Sequence, residues 1–407
     1  MKYTYEQIYQ TPADRIRYEQ LTKALTDLGY GPAQIRYFTA PGRSELGGNH
    51  TDHQNGRVLA AAVDVDTAAA VAENGTDRIR FHSKGFAPCA LSVDPEQNRE
   101  IPPQSADSLV AGMIAAFAPR CRLRGLDIFA DSTVLPGGGL SSSASVEVLL
   151  AEIFNEIFET GLAPLELAKL GQWVENVYFG KPCGLLDQAA SAMGGVTYMD
   201  FRDPAEPLAE KLELDPERFG YALYIVNCGA DHADLTDEYA AIPGELKALC
   251  GQFGKGALSE VEEAAFYERL PALRKTCSDR AILRAIHVYD ENRRVLAMRE
   301  ALRQEDFAAY LSLVRESGLS SWRYLQNIYP TGSTSQPMAL TLAICEKLLE
   351  GAGACRVHGG GFAGTIQAYV PLKRAESFRT RMETLLPACS CQRRRIRPVG
   401  AAELELG

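Results

Sequence analysis

The stretch Leu135-Pro136-Gly137-Gly138-Gly139-Leu140-Ser141-Ser142-Ser143-Ala144-Ser145 constrains this chain more than any other. Three glycines after a proline leave a loop with no side chains to hold a bound group at a distance. Three hydroxyls follow, and then a periodic segment begins. Val146, Leu149, Leu150, Ile153, Phe154, Ile157 and Phe158 recur at helical spacing, with Glu147, Glu152, Asn155 and Glu156 on the other side. Gly161 stands where such a helix would stop. The alternation from Gly125 to Val134 predicts a strand feeding the loop. Glycines and serines therefore precede a helix N-terminus, where free N–H groups and the positive end of the dipole favour an anion. A plain Gly/Ser turn would not require this strand–loop–hydroxyl–helix order, so phosphate binding is the better reading. The lysine of a Walker loop is missing.

The chain is 407 residues long, which suggests about two domains. The boundary falls near Asp200 to Glu210, where Asp203, Pro204 and Pro207 interrupt the pattern, giving domains of residues 1–205 and 206–407. A net charge of -10 argues against a nucleic-acid partner. The longest apolar stretch, Val58 to Ala72, is broken by Asp64 and Asp66 and is no membrane span; within it Val58 to Val71 reads as a strand. Ten scattered cysteines without a C-x-x-C, and no apolar leader, predict reduced thiols and a cytoplasmic protein.

Helices are expected over Ser105 to Phe117, Pro164 to Val177, Gln188 to Met193, Asp279 to Gln304 and Phe307 to Asn327. Strands are expected at Arg78 to His82 and Tyr221 to Cys228. Gly359, Gly361 and Gly364 match a dinucleotide fingerprint, but Thr365 to Val370 reads as a strand where that fingerprint needs a helix. The weaker statement survives, that backbone here approaches something closely. His50 and His53 flank Asp52 without an evident third ligand, which makes a metal site there a poor reading.

Four clusters then coincide with one pattern. Ala40-Pro41-Gly42-Arg43 through Asn49-His50-Thr51-Asp52 resembles the N-terminal signature of galactokinases, within the GHMP superfamily of small-molecule kinases. Leu135 to Ser145 resembles the ATP phosphate loop of that superfamily. Cys183-Gly184-Leu185-Leu186-Asp187-Gln188 resembles the segment with the catalytic aspartate, and Arg356 to Gly364 the C-terminal glycine motif. The resemblance implies a two-domain α+β GHMP-kinase fold with the active site in the inter-domain cleft. It implies transfer of the γ-phosphoryl of ATP to the anomeric hydroxyl of D-galactose, with Mg2+, by a monomer that binds neither nucleic acid nor membrane.

On that resemblance Asp187 and Arg43 are catalytic, Asp187 accepting the C1 proton and Arg43 keeping it ionised. By position alone, Asp187 is equally suited to cap a helix at Gln188. Asn49, His50, Asp52, Gly184 and Tyr239 would contact the sugar. Pro136, Gly137, Gly138, Gly139, Leu140, Ser141, Ser142, Ser143 and Ala144 would hold the ATP phosphates, with Ser143 meeting the metal. Gly359, Gly360 and Gly361 form the third motif. The departures are Ser44-Glu45 for the family's Val-Asn, Asn49 for its glutamate, His53 for its tyrosine, and no Asn-x-Arg after Tyr239. Asn49 at the far end of the sugar would admit changes at C6, which makes galacturonate and L-arabinose alternative substrates. A sugar- and nucleotide-binding regulator without catalysis is the rival class. A kinase of the superfamily acting on a non-sugar is another.

Overall fold

The computed structural model describes residues 2–9, 13–135, 138–229, 235–362 and 364–406. The chain opens with β1 (Lys2–Thr4), α1 (Tyr5–Ile8) and α2 (Ala13–Thr26), followed by the long strands β2 (Arg36–Gly47) and β3 (Arg57–Glu73). Then come β4 (Arg78–Ser83), β5 (Cys89–Ser92), α3 (Ala106–Phe117) and β6 (Leu126–Ser132). The glycine loop leads into α4 (Ser142–Ile157), and α5 (Pro164–Val174), α6 (Leu186–Met193), β7 (Val196–Asp200) and β8 (Leu208–Leu212) follow. After β9 (Tyr221–Asn227) the chain is helical through α7 (Thr236–Gly251), α8 (Glu263–Glu268), α9 (Leu270–Thr276), α10 (Asp279–Arg303), α11 (Phe307–Ser320) and α12 (Pro337–Leu349). It ends with β10 (Ala354–His358), β11 (Thr365–Pro371), α13 (Ala375–Leu385), β12 (Ser390–Arg394) and β13 (Ala402–Glu405). The expected helices and strands all form, within a few residues at their ends except for α11, which stops at Ser320 and passes into a π-turn over Ser321–Leu325.

The strands make two sheets, one ordered β1-β13-β2-β3-β6-β4-β5 with β7 and β8 attached through β3, the other ordered β10-β11-β9-β12. Long β3 serves two neighbours on one side: Arg57 to Ala61 pair with β7, and Thr67 to Glu73 with β6. The sheets do not divide at residue 205. β8 extends the first sheet, and β13 returns from the end of the chain to lie between β1 and β2. Buried Arg397 anchors that return, donating to Asp66 Oδ2 at 3.0 Å, while Ile396 bridges to Val63. Such a long-range return has no local sequence pattern.

α3, α4, α5 and α6 cover the first sheet through Val110, Ile114, Leu149, Phe154, Ala168 and Ala189. A second apolar cluster joins the two sheets: Leu46 and Leu59 meet Val295 and Met298 of α10, Val314 of α11 and Tyr369 of β11. The polar side of α4 is not a solvent face. Glu147, Glu152 and Asn155 are all buried, because the sheet covers one side of the helix while α5 and α6 cover the other. All ten cysteines are free. Among the described residues no helix is long and apolar enough to cross a membrane.

Candidate active site

β2 and β3 lose register between Pro41 and Arg43. Such a shift bends a strand and re-aims its side chains, and it lets a proline sit inside a ladder. Arg43 leaves this bend towards α6 and clamps Asp187 with two parallel bonds, Nε to Oδ1 at 2.6 Å and Nη2 to Oδ2 at 2.9 Å. Ser141 Oγ donates to the same Oδ2 at 2.7 Å. Burial alone would raise the Asp187 carboxyl, but the Arg43 charge overrides it and holds the carboxyl below its ordinary value. Asp187 is the second residue of α6 and makes no capping bond, so the capping role is excluded.

Arg43 Nη1 also donates to Gly139 O at 2.5 Å, and the Arg43 backbone N–H to Leu140 O at 3.0 Å. The loop is thus tied to the pair it overhangs. Gly139 has φ +73°, and a Cβ there would collide with Thr365 Oγ1, so only glycine fits. Ser141, in the left-handed region at φ 56°, is the residue before α4 and does not cap it. Its hydroxyl is spent on Asp187, which leaves the first N–H groups of α4 open. Ser142 makes no side-chain bond among the described residues, and Ser142, Ser143 and Ala144 are the first three residues of α4. Pro136 and Gly137 lie outside the described residues.

Ser143 Oγ donates to Glu175 Oε1 at 3.2 Å, and Lys181 Nζ reaches the same oxygen at 3.3 Å. Glu175 is a site residue that the sequence reading missed. It begins a five-residue π-turn, Glu175–Phe179, at the end of α5. A signal was present, since Leu167, Gly171 and Glu175 recur every four residues along the buried stripe, putting a carboxylate on an apolar face. A hydroxyl and a carboxylate make a hard-oxygen pair that fits Mg2+, an ion that completes its shell with water and phosphate oxygens. Among the described residues no group of three or more His, Cys, Asp or Glu side chains is set to hold a metal.

The expected sugar side has a different character. Asn49 Nδ2 donates to Gly359 O at 2.6 Å and to Glu45 Oε1 at 3.2 Å. Its Oδ1 accepts from Asn327 Nδ2 at 2.8 Å and Ser321 Oγ at 3.2 Å. The residue is 0% exposed, so Asn49 has no polar atom left for a ligand, and its assignment as a sugar contact is corrected. The C6 argument for galacturonate and arabinose goes with it.

His50 Nε2 donates to Gly360 O at 3.0 Å and Tyr239 Oη to Gly361 O at 2.8 Å. The carbonyls of the third motif are therefore held by Asn49, His50 and Tyr239, which explains its closely approached backbone. Burial, and next the neighbouring His53, push the His50 imidazole well down, so it is neutral. Glu45 forms an ion pair with fully buried Arg356, whose Nη1 also donates to Leu46 O at 3.0 Å. The departures at positions 45 and 49 are thus bonded to each other. Asp52 differs from its neighbours: Oδ1 accepts from the His53 N–H at 2.8 Å, while Oδ2 keeps no partner among the described residues. Oδ2 faces Gly184, where any Cβ would collide with it.

A profile of the GHMP kinases N terminal domain matches residues 108–195, and a galactokinase galactose-binding signature matches residues 29–73. The galactokinase of Glaesserella parasuis serovar 5 (strain SH0165) is 28% identical over 377 residues, covering 88% of this chain and 91% of that protein. The crystal structure of Lactococcus lactis galactokinase complexed with galactose superposes with a TM-score of 0.81 at 23% identity, covering 95% of this chain and 99% of the other. Methanococcus jannaschii mevalonate kinase superposes with a TM-score of 0.63 at 14% identity, covering 90% and 99%. At these identities the superpositions establish the two-domain α+β fold. With the galactokinase-specific signature lying over Arg43 to Asp52, and the GHMP profile over the loop, Glu175 and Asp187, the chain belongs to the galactokinase family of the GHMP kinases, a class of sugar phosphotransferases.

Proposed function

We propose that this protein transfers the γ-phosphoryl group of ATP to the C1 hydroxyl of D-galactose, giving galactose 1-phosphate. The observation that carries the reading is the clamped carboxylate of Asp187 at the foot of an uncapped helix. Phosphoryl transfer passes through a loose transition state, so the protein has to position the partners, offset charge and take up a proton. The open N–H groups of α4 and the Ser142 hydroxyl bind phosphate oxygens. Arg43 offsets charge on the group in flight and keeps Asp187 ionised. Asp187 then receives the proton of the attacking hydroxyl. Ser143 and Glu175 would hold Mg2+, which when bound neutralises phosphate charge.

Asp52 is the residue proposed to read the sugar, because its Oδ2 is the free acceptor beside Gly184. An axial C4 hydroxyl presents its proton differently from an equatorial one, so galactose is favoured over glucose. The galactose-binding signature over residues 29–73 and the printed names of the relatives support this choice. The test is ATP consumption against a panel of free sugars, galacturonate, arabinose and glucose included, with the phosphorylated product identified. No turnover of any galacto-configured sugar overturns the substrate and leaves the nucleotide side standing.

A further inference from the structure

Directly behind Asp187, the side chain of Gln188 is fully buried and its nitrogen joins two carboxylates. Nε2 donates to Glu147 Oε2 at 2.9 Å and to Glu175 Oε2 at 2.8 Å, which uses both of its hydrogens. Three elements meet here: α4 brings Glu147, the turn after α5 brings Glu175, and α6 brings Gln188. Gly171 makes room, since a Cβ there would already press on Gln188 Cγ at 3.3 Å and Glu147 Cβ at 3.4 Å. Glu147 Oε1 and Gln188 Oε1 are buried without a partner. Among the described residues no cation pairs with Glu147; the nearby Lys181 is bonded to Glu175 instead. An apolar contact of the same volume would hold three elements together without leaving buried polar atoms unpaired. What the amide does that an apolar group cannot is fix the rotation of Glu175. With Oε2 held from behind, Oε1 is turned towards Ser143.

We infer that Gln188, backed by Glu147, is a positioning residue that orients Glu175 for the metal and thereby couples the Ser143–Glu175 pair to the helix carrying Asp187. The inference rests on the kinase reading of the site.

The experiment compares Gln188→Met, Glu147→Gln and Glu147→Met with the parent enzyme. Two readouts are taken: Mn2+ affinity by electron paramagnetic resonance in the presence of a non-hydrolysable ATP analogue, and the Mg2+ dependence of turnover. Loss of an outer group that orients a ligand weakens metal binding by about tenfold or more. Gln188→Met should therefore weaken Mn2+ by that factor and raise the Mg2+ requirement, while the sugar KM stays within about twofold. Glu147→Met should follow it. Glu147→Gln keeps the shape and an oxygen that accepts from Gln188 Nε2, so it should remain within about twofold of the parent. Unchanged Mn2+ affinity in Gln188→Met, with only a lowered denaturation midpoint, overturns the proposal. If Gln188→Met does not fold, the two Glu147 variants decide: equal Mn2+ affinity in both overturns it, and weakening confined to Glu147→Met supports it. The Mn2+ readout needs no turnover, so a failure of the galactose reading leaves it intact.

Discussion

At the foot of α4 and in the loop after β2, similar residues are put to different use. The foot of α4 holds hydroxyls and N–H groups that the described residues leave open: among them Ser142 has no side-chain partner, α4 has no side-chain cap, and Ser143 shares only one oxygen of Glu175. The loop after β2 is nearly saturated. Asn49 spends both ends of its amide within the protein and Glu45 is paired with Arg356, while among the described residues Asp52 Oδ2 and His50 Nδ1 keep no partner. A ligand is met by what a fold leaves unpaired, so the two regions differ in how much they offer one. The departures from the family signature at Ser44, Glu45 and Asn49 all fall on the saturated side. Ser44 meets His358 Nε2 at 3.1 Å and Gln367 Nε2 at 3.0 Å, both from the second sheet. These positions hold the two sheets together around the site and do not read its ligand.

Breaking the saturated side should cost stability most. Arg356→Met strands the Glu45 carboxylate in the interior, and removing one partner of a buried pair costs about 3–5 kcal/mol. A urea titration should show the loss in its midpoint; a change below about 1 kcal/mol would mean that Glu45 finds other support. On the open side the large effect is chemical. Asp187→Asn should lower turnover on the order of a hundredfold or more while nucleotide affinity by calorimetry is kept, because the helix and not this side chain binds phosphate. Near-normal turnover would remove Asp187 as the base.

A matched pair sharpens the contrast. Asn49→Ala leaves Gly359 O without its donor and should cost about 1–3 kcal/mol of stability. Ser142→Ala should change stability by less than about 0.5 kcal/mol and appear instead in ATP affinity. If Asn49→Ala is stable and alters only sugar KM, the loop is open after all. The smallest effect is a shift in pH. The Asp187 carboxyl is depressed, so it stays ionised below its ordinary range, and turnover is lost only as pH falls through the depressed value. The stability from the pair follows the same sign, present above the unfolded carboxylate value and lost below the folded one. Arg43→Gln should move the acid limb of turnover to higher pH. An unmoved limb would show that Arg43 does not set the ionisation of Asp187.

The sequence by itself determined the elements and their order. Strand, glycine loop and helix around Leu135 to Ser145 follow from alternation, backbone freedom and 3.6-residue periodicity, all of which act within about one element's length. The motifs at Arg43, Asp187 and Gly359 to Gly361 were legible through their resemblance to galactokinases, each being a short local run of residues. What only the tertiary structure decided is which polar atoms remain free. Asn49 looked available because its partners, Gly359, Asn327 and Ser321, lie more than 270 positions away. Glu147 looked like a solvent face because α5 and α6, which cover it, carry no mark of that packing in their own pattern. Glu175 was missed because only the π-turn at the end of α5 brings it under Ser143. The return of β13 to the first sheet was invisible for a related reason, since pairing between chain ends is chosen by the shape of a finished core. Local propensity fixes the backbone, but hydrogen bonds are shared out only when the sheets close on each other, and a binding site is what that sharing leaves over.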